Sequence, residues 1–242
     1  MPVRQLTPIE CARFRDDGVL RLGRVLSDDD TARLAQRLDA IVDVAGREQG
    51  GGVLDLSASL EGPPVKQVLQ LIDIYKRDPV FREIAMRPDI VGVAQALLGP
   101  RLRLLRDQCF YKAPGSRSKI YLHQDNRYWH IEPPDCVTVW IALDSARVEN
   151  GCVHYLLGSN RSGRVHHHRA DDGRSVLLEA NVRESDCTPF EVEAGHGLVH
   201  HCQTVHYSPR NDTPSLRRGY TIQYVSANSV RRGEPLAECP QL

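Results

Sequence analysis

The chain has 242 residues, and its 31 lysines and arginines balance 31 aspartates and glutamates, so the formal net charge is zero. That length supports one substantial core, and the reading is a single domain over residues 1–242. The charge balance argues against a nucleic-acid binder, and no block of like charge marks an interaction tail. The cysteines at 11, 109, 136, 152, 187, 202 and 239 are odd in number and form no C-x-x-C pair. A disulfide framework and a cysteine zinc site are therefore not expected, and reduced thiols predict a cytoplasmic location. No stretch approaches about 18 consecutive apolar residues, so no membrane association is predicted.

Taken in order, Thr7-Pro8-Ile9-Glu10 predicts a helix start, with Thr at the cap, Pro in the first turn and Glu three residues on. That helix should end at Asp17-Gly18, with a strand over 19–22. Ser27, followed by Asp28, Asp29 and Asp30, caps a second helix, because acidic groups suit the positive helix end. Its apolar residues Leu34, Leu38, Ile41, Val42 and Ala45 recur at helical spacing, and it should stop near Gly46. From Gly50-Gly51-Gly52 to Pro63-Pro64 the chain reads as a long loop of the kind that covers a site. Two short helices follow between Asp78 and Leu98, divided at Arg87-Pro88 and closed by Gly99-Pro100.

Beyond Arg101 the pattern changes to short strand-like runs over 102–111, 119–123, 136–143, 152–157, 190–192, 197–202 and 218–225. Turn clusters such as Ala113-Pro114-Gly115, Glu149-Asn150-Gly151 and Gly158-Ser159-Asn160 separate them. A mostly helical part over 1–100, a strand-rich core over 101–228 and a tail over 229–242 predict an α+β protein, mainly β, with a sandwich or barrel core. In 136–143, Val137, Val139, Ile141 and Leu143 share one face, while Thr138, Trp140 and Ala142 share the other. The second face either lines a pocket or packs against another layer.

Chemistry concentrates around His123-Gln124-Asp125. In an extended strand, residues two apart point to the same side, so both groups reach one point. His206, on a later strand-like segment, supplies a third donor, with His201 and His200 as rivals. Two histidines and a carboxylate on one side of a metal form the facial triad of non-haem Fe(II) oxygenases. His166-His167-His168, between Arg164 and Arg169, reads as a solvated loop near the entrance rather than a metal tract.

These motifs stand in a recognisable order. His123-Gln124-Asp125 precedes Glu149-Asn150-Gly151-Cys152 and Leu157-Gly158-Ser159-Asn160; then come Ala194-Gly195-His196, His206-Tyr207-Ser208 and Asn211, with Arg217 eleven residues beyond His206. From about Thr7 to Ser226 the chain resembles the phytanoyl-CoA dioxygenase family of Fe(II)- and 2-oxoglutarate-dependent oxygenases. Two positions depart from the family pattern: His196 replaces an acidic residue, and Asn160 replaces a histidine.

The resemblance implies a double-stranded β-helix (a cupin-like jelly roll) with N-terminal helices packed on one side. It implies Fe(II) held by His123, Asp125 and His206, with 2-oxoglutarate and O₂ as co-substrates. Arg217 would clamp the distal carboxylate of 2-oxoglutarate, and Ser208 would donate a hydrogen bond to the same group. Trp140 and Gln108 stand where relatives touch co-substrate or substrate. The expected activity is hydroxylation of a small molecule, anionic if Arg127, Arg164 and Arg169 border the opening, with release of succinate and CO₂. A monomer or weak dimer is expected. Two other classes remain open: a jelly-roll binding protein without turnover, and a cupin-like metalloenzyme that does not use 2-oxoglutarate.

Overall fold

The helix Pro8–Asp17 begins on the expected capping box: Thr7 accepts from the Glu10 N–H, and the Glu10 carboxylate accepts from the Thr7 N–H at 2.9 Å. Gly18 closes it at φ 76°, where a Cβ would stand 2.5 Å from Thr204 Oγ1, so glycine is required both for the turn and for the close approach. The computed structural model describes residues 5–45, 53–55, 68–116, 119–169, 176–178 and 182–242. The strand Val19–Arg24 follows, and then the helix Asp28–Ala45, whose start is held by Ser27 Oγ accepting from the Asp30 N–H. Helices Pro79–Ala85 and Pro88–Leu98 occupy the predicted positions, each with Pro in its first turn. Of the loop expected over 50–64, residues Val53–Asp55 form a short strand, and the remainder lies outside the described residues.

Two antiparallel sheets carry most of the remaining described strands. In the larger, His196–His201, Cys136–Ala142, Arg217–Ser226 and Leu102–Lys112 are consecutive neighbours. In the smaller, the order is Thr188–Phe190, Val153–Tyr155, His206–Ser208 and Ile120–His123. Apart from Val153–Tyr155 and Thr188–Phe190, which pair within the smaller sheet, successive strands of this set alternate between the two sheets, and this strand order is that of a double-stranded β-helix, or jelly roll. Val19–Arg24 extends one edge of the larger sheet; Val68–Ile72 and Val53–Asp55 extend the other.

The alternation within Cys136–Ala142 decides which layer each side chain meets. Val137, Val139 and Ile141 join Leu34, Leu38, Phe81, Ile84 and Ile90 in the core between sheet and helices. Each fully buried side chain of this size contributes about 1.5–3 kcal/mol. The other face sends Trp140 and Ala142 into the space between the sheets, beside Cys152, Tyr155 and Leu198. That inner space holds the polar residues considered below.

Some elements differ from expectation. The run at 190–192 pairs earlier, at Thr188–Phe190, and Val192 makes only an isolated bridge to Ala146. The C-terminal segment folds back, with Val230–Arg231 pairing Ile131–Glu132 and Glu234–Pro235. Pairings of two or three residues leave no periodicity for a sequence to display. The histidine tract is not a solvated loop throughout: His167–Arg169 pairs with Val176–Leu178, and His167 is buried. All seven cysteines are free, and six are buried.

Candidate active site

His123 ends its strand, and His206 lies directly opposite it in the antiparallel register, so the two rings meet with centroids 4.2 Å apart. Asp125 arrives differently from the expectation. It does not continue an extended strand; its backbone is helical (φ −56°, ψ −41°) and opens the short helix Asn126–Trp129. The chain leaves the sheet at Gln124 because that residue is fastened off it. Its amide side chain donates to the carbonyls of Gly163 and Gln203, accepts from the Val165 N–H, and its own N–H donates to His167 Nε2 at 3.0 Å. The turn, not strand alternation, brings the carboxylate to the histidines.

One ligand atom from each of His123, Asp125 and His206 lies within 4.8 Å of the others. Nδ1 of His123 lies 2.8 Å from the Tyr121 carbonyl, and Nδ1 of His206 lies 2.9 Å from the Thr204 carbonyl. A carbonyl oxygen only accepts, so both rings carry a proton on Nδ1, which in a neutral ring leaves Nε2 as the lone-pair nitrogen. Those two Nε2 atoms face Asp125 Oδ1 at 3.5 and 3.8 Å. Lone pairs turned on an anionic oxygen repel unless a cation stands among them. The donor set therefore fits a divalent metal, and two histidines with one carboxylate suit non-haem iron. Burial, followed by the neighbouring His123, holds His206 well below the ordinary imidazole value, which keeps it neutral and able to ligate.

The second oxygen of Asp125 is already engaged. Oδ2 accepts from Thr138 Oγ1 and from His200 Nε2, each at 3.0 Å. Since a carboxylate cannot donate, His200 carries its proton on Nε2, and its Nδ1 accepts from the Tyr155 hydroxyl at 3.0 Å. The hydrogen bonds donated by Thr138 and His200 favour the anionic form of Asp125. With Oδ2 occupied, only Oδ1 is left to face the two histidines.

A second polar cluster lies near by. Arg217 is almost wholly buried, and its Nη2 donates to Ser208 Oγ at 2.6 Å and to the Gly151 carbonyl at 2.5 Å. Its Nε has no hydrogen-bond partner among the described residues. The guanidinium lies 5.7 Å from the centre of the Trp140 ring, and a Cβ at Gly219 would lie 2.7 Å from that ring, so glycine there makes room for the indole. Arg218 faces the other way and forks onto Asp144 at 2.8 and 2.7 Å, with Asp39 at 2.8 Å. The Ser208 hydroxyl donates to the Gly151 carbonyl, while its oxygen accepts from Arg217 and from Lys112. Gln108 is buried, and its side chain accepts from Gln70.

The remaining histidines sort by face. His201 turns away from the metal-type cluster toward Phe14, with ring centroids 6.4 Å apart, and lines a small pocket with Cys11, Leu97 and Asn160. Burial lowers its pKa to about 4. Burial likewise lowers His167 to about 4, so it stays neutral while bracing Gln124. Sequence reasoning did not assign Thr138, Tyr155, Gln124 or Lys112. Thr138 was within reach, since alternation had set it on the inner face with Trp140. The other three are ordinary strand or turn residues until partners distant in sequence are known.

The profile of the phytanoyl-CoA dioxygenase (PhyH) family matches residues 14–219, most of the chain. The protein belongs to that family. That family is one of Fe(II)- and 2-oxoglutarate-dependent oxygenases, and the three candidate metal donors stand together in this chain. A phytanoyl-CoA dioxygenase of Arabidopsis thaliana is 24% identical over 160 residues, covering 65% of this chain and 56% of that protein. The chain thus spans little more than half of that relative. Phytanoyl-CoA dioxygenase domain-containing protein 1 of Mus musculus is 25% identical over 264 residues, covering 92% of this chain and 91% of its own length. Among solved structures, the non-haem α-ketoglutarate-dependent carbocyclase SnoK from nogalamycin biosynthesis superposes with a TM-score of 0.78 at 23% identity, covering 98% and 96% of the two chains. The epimerase SnoN, in complex with Fe³⁺, α-ketoglutarate and nogalamycin RO, gives 0.72 at 21% identity, covering 95% and 86%. These likenesses establish the jelly-roll fold for this member. No helix among the described residues is long and apolar enough to cross a membrane.

Proposed function

We propose that this member of the phytanoyl-CoA dioxygenase family hydroxylates an unactivated C–H bond of a small molecule, using Fe(II), O₂ and 2-oxoglutarate and releasing succinate and CO₂. The observation that carries the reading is the pair of Nε2 atoms turned on Asp125 Oδ1, with Nδ1 of each ring held by a backbone carbonyl, a donor set that suits a divalent cation. His123, Asp125 and His206 would hold the iron. When bound, iron supplies oxygen activation coupled to oxidative decarboxylation of the keto acid. The protein's own groups supply the rest. Thr138 and His200 orient Asp125, and the Tyr121 and Thr204 carbonyls fix the two ring tautomers. Arg217, buried without a carboxylate on its own fork, would bind the distal carboxylate of 2-oxoglutarate. The relative SnoN holds Fe³⁺ and α-ketoglutarate, in accord with this reading.

Asp125 bears on the outcome as well. An aspartate keeps a coordination position that an alanine or glycine would leave to halide, which favours hydroxylation over halogenation. For the substrate we propose an acidic small molecule. Burial and the charges of Arg232, Arg164 and Arg127 together hold His130, five residues past Asp125, below its ordinary value. A group of arginines whose charges act on one residue this near Asp125 would suit a carboxylate or phosphate. Succinate formation from 2-oxoglutarate with Fe(II), measured across a panel of small acids, tests the activity. His206→Ala should abolish it and His201→Ala should retain it; the reverse pattern would move the ligand role to His201.

A further inference from the structure

Lys112 ends the strand Leu102–Lys112 opposite Arg217 in the ladder, and its side chain is completely buried. A buried ammonium is costly unless something pairs it. Nζ donates to Ser208 Oγ at 2.7 Å, to the Ser208 carbonyl at 3.2 Å and to the Pro209 carbonyl. Its three donors are all spent on neutral acceptors. Arg217 likewise meets only neutral acceptors, with Nη2 on Ser208 Oγ and the Gly151 carbonyl and Nε without a partner among the described residues. Asp144, the carboxylate whose charge reaches Arg217, is already forked by Arg218. Two buried cations thus converge on one hydroxyl, and neither donates to an anion.

The surroundings are built around this arrangement. A Cβ at Gly151 would lie 2.4 Å from the Pro209 carbonyl and 3.1 Å from Lys112 Nζ, so only glycine allows the ammonium this approach. Asn211, also buried, donates to the Lys112 carbonyl at 3.2 Å and to the Ala113 carbonyl at 3.1 Å, which fixes the end of the lysine's strand.

We propose that Lys112 is a second cation of the distal-carboxylate site, a positioning residue that acts through Ser208 and sets a preference for dianionic over monoanionic 2-oxo acids. This rests on the 2-oxoglutarate reading above. Ser208 accepts from both cations while its proton points to the Gly151 carbonyl at 2.8 Å. An entering carboxylate that takes this proton competes for it with the Gly151 carbonyl. Burial, and then the charge of Arg217, depress the Lys112 pKa well below its ordinary value, and a carboxylate entering the cluster relieves both stresses.

A purely structural lysine would affect every ligand alike, so the test varies the ligand as well as the residue. 2-Oxoglutarate and 2-oxopentanoate, which has the same carbon count without the distal carboxylate, are titrated calorimetrically into Fe(II)-loaded protein without oxygen. Lys112→Met should weaken 2-oxoglutarate about 10- to 100-fold. It should shift 2-oxopentanoate by no more than about 2- to 3-fold. Lys112→Arg, which keeps the charge, should retain the preference for the dianion. If the methionine variant does not fold, Lys112→Gln takes its place against Lys112→Arg with the same expectation. Equal losses for both acids, or an undiminished preference in the uncharged variant, would overturn the role of Lys112 and leave the co-substrate reading standing. Failure of the wild type to bind 2-oxoglutarate would overturn both.

Discussion

Arg217 and Arg218 are adjacent in sequence and opposite in surroundings, so the same conservative substitution should have two different consequences. Arg217→Lys replaces a planar fork with a point donor inside a fully buried cluster. Loss of one charge-assisted bond and of the bidentate geometry costs about 2–3 kcal/mol, or roughly 30- to 150-fold in 2-oxoglutarate affinity. The loss should fall on KM for 2-oxoglutarate and not on kcat, because the distal carboxylate is bound alike before and during reaction. Arg218→Lys breaks the fork on Asp144 and the contact with Asp39 on the helix Asp28–Ala45. It should leave co-substrate binding unchanged and lower folding stability by about 1–2 kcal/mol. Calorimetric titration of 2-oxoglutarate and urea unfolding of both variants would measure the two effects separately. Equal weakening of 2-oxoglutarate in the two variants would refute the assignment of faces.

His200→Phe removes one of the two donors to Asp125 Oδ2 while filling the same space; Fe(II) affinity should fall about 10- to 100-fold, and wild-type affinity would show that Thr138 alone orients the carboxylate. Asp107 offers a pH test far from the metal. Burial raises its carboxyl to about 6, despite hydrogen bonds from the Tyr220 hydroxyl and the Tyr75 N–H. The folded pKa exceeds the unfolded one, so the native state holds a proton that the unfolded chain releases between about pH 4 and 6, and stability falls as pH rises through that window. Measured against Asp107→Asn by urea unfolding, the wild type should lose about 2 kcal/mol from pH 4 to pH 7. Parallel pH curves for the two proteins would show that Asp107 is not a buried, proton-retaining carboxyl.

Much of the architecture was legible because local signals and the global fold agree. Thr7, Pro8 and Glu10 specify a helix start that the structure reproduces, and the alternation in Cys136–Ala142 separates the helix-facing layer from the inner one. The spacing of His123 and Asp125 marked them as a ligand pair, while the choice of His206 over His201 and of Arg217 over Arg218 came from the family resemblance. The route by which Asp125 reaches the site was not legible. It depends on Gln124 being tied to Gly163, Val165, His167 and Gln203, partners 39 to 79 residues away. Lys112 was invisible for a similar reason. A lysine at a strand end reads as solvated, and only the pairing of that strand with Arg217 buries it. The role of His200 likewise required the register that sets it opposite Thr138, beside the same carboxylate oxygen.

The central claim is that His123, Asp125 and His206 hold one iron to which 2-oxoglutarate binds directly. Under anaerobic conditions, Fe(II) and then 2-oxoglutarate are added to the wild type and to Asp125→Ala, and the metal-to-ligand charge-transfer absorbance is followed. The wild type should bind one Fe(II) per chain and develop the absorbance in proportion to bound 2-oxoglutarate. Asp125→Ala, left with two histidines, should lose most of both. Full iron binding and undiminished absorbance in Asp125→Ala, or no absorbance in the wild type, would contradict the account.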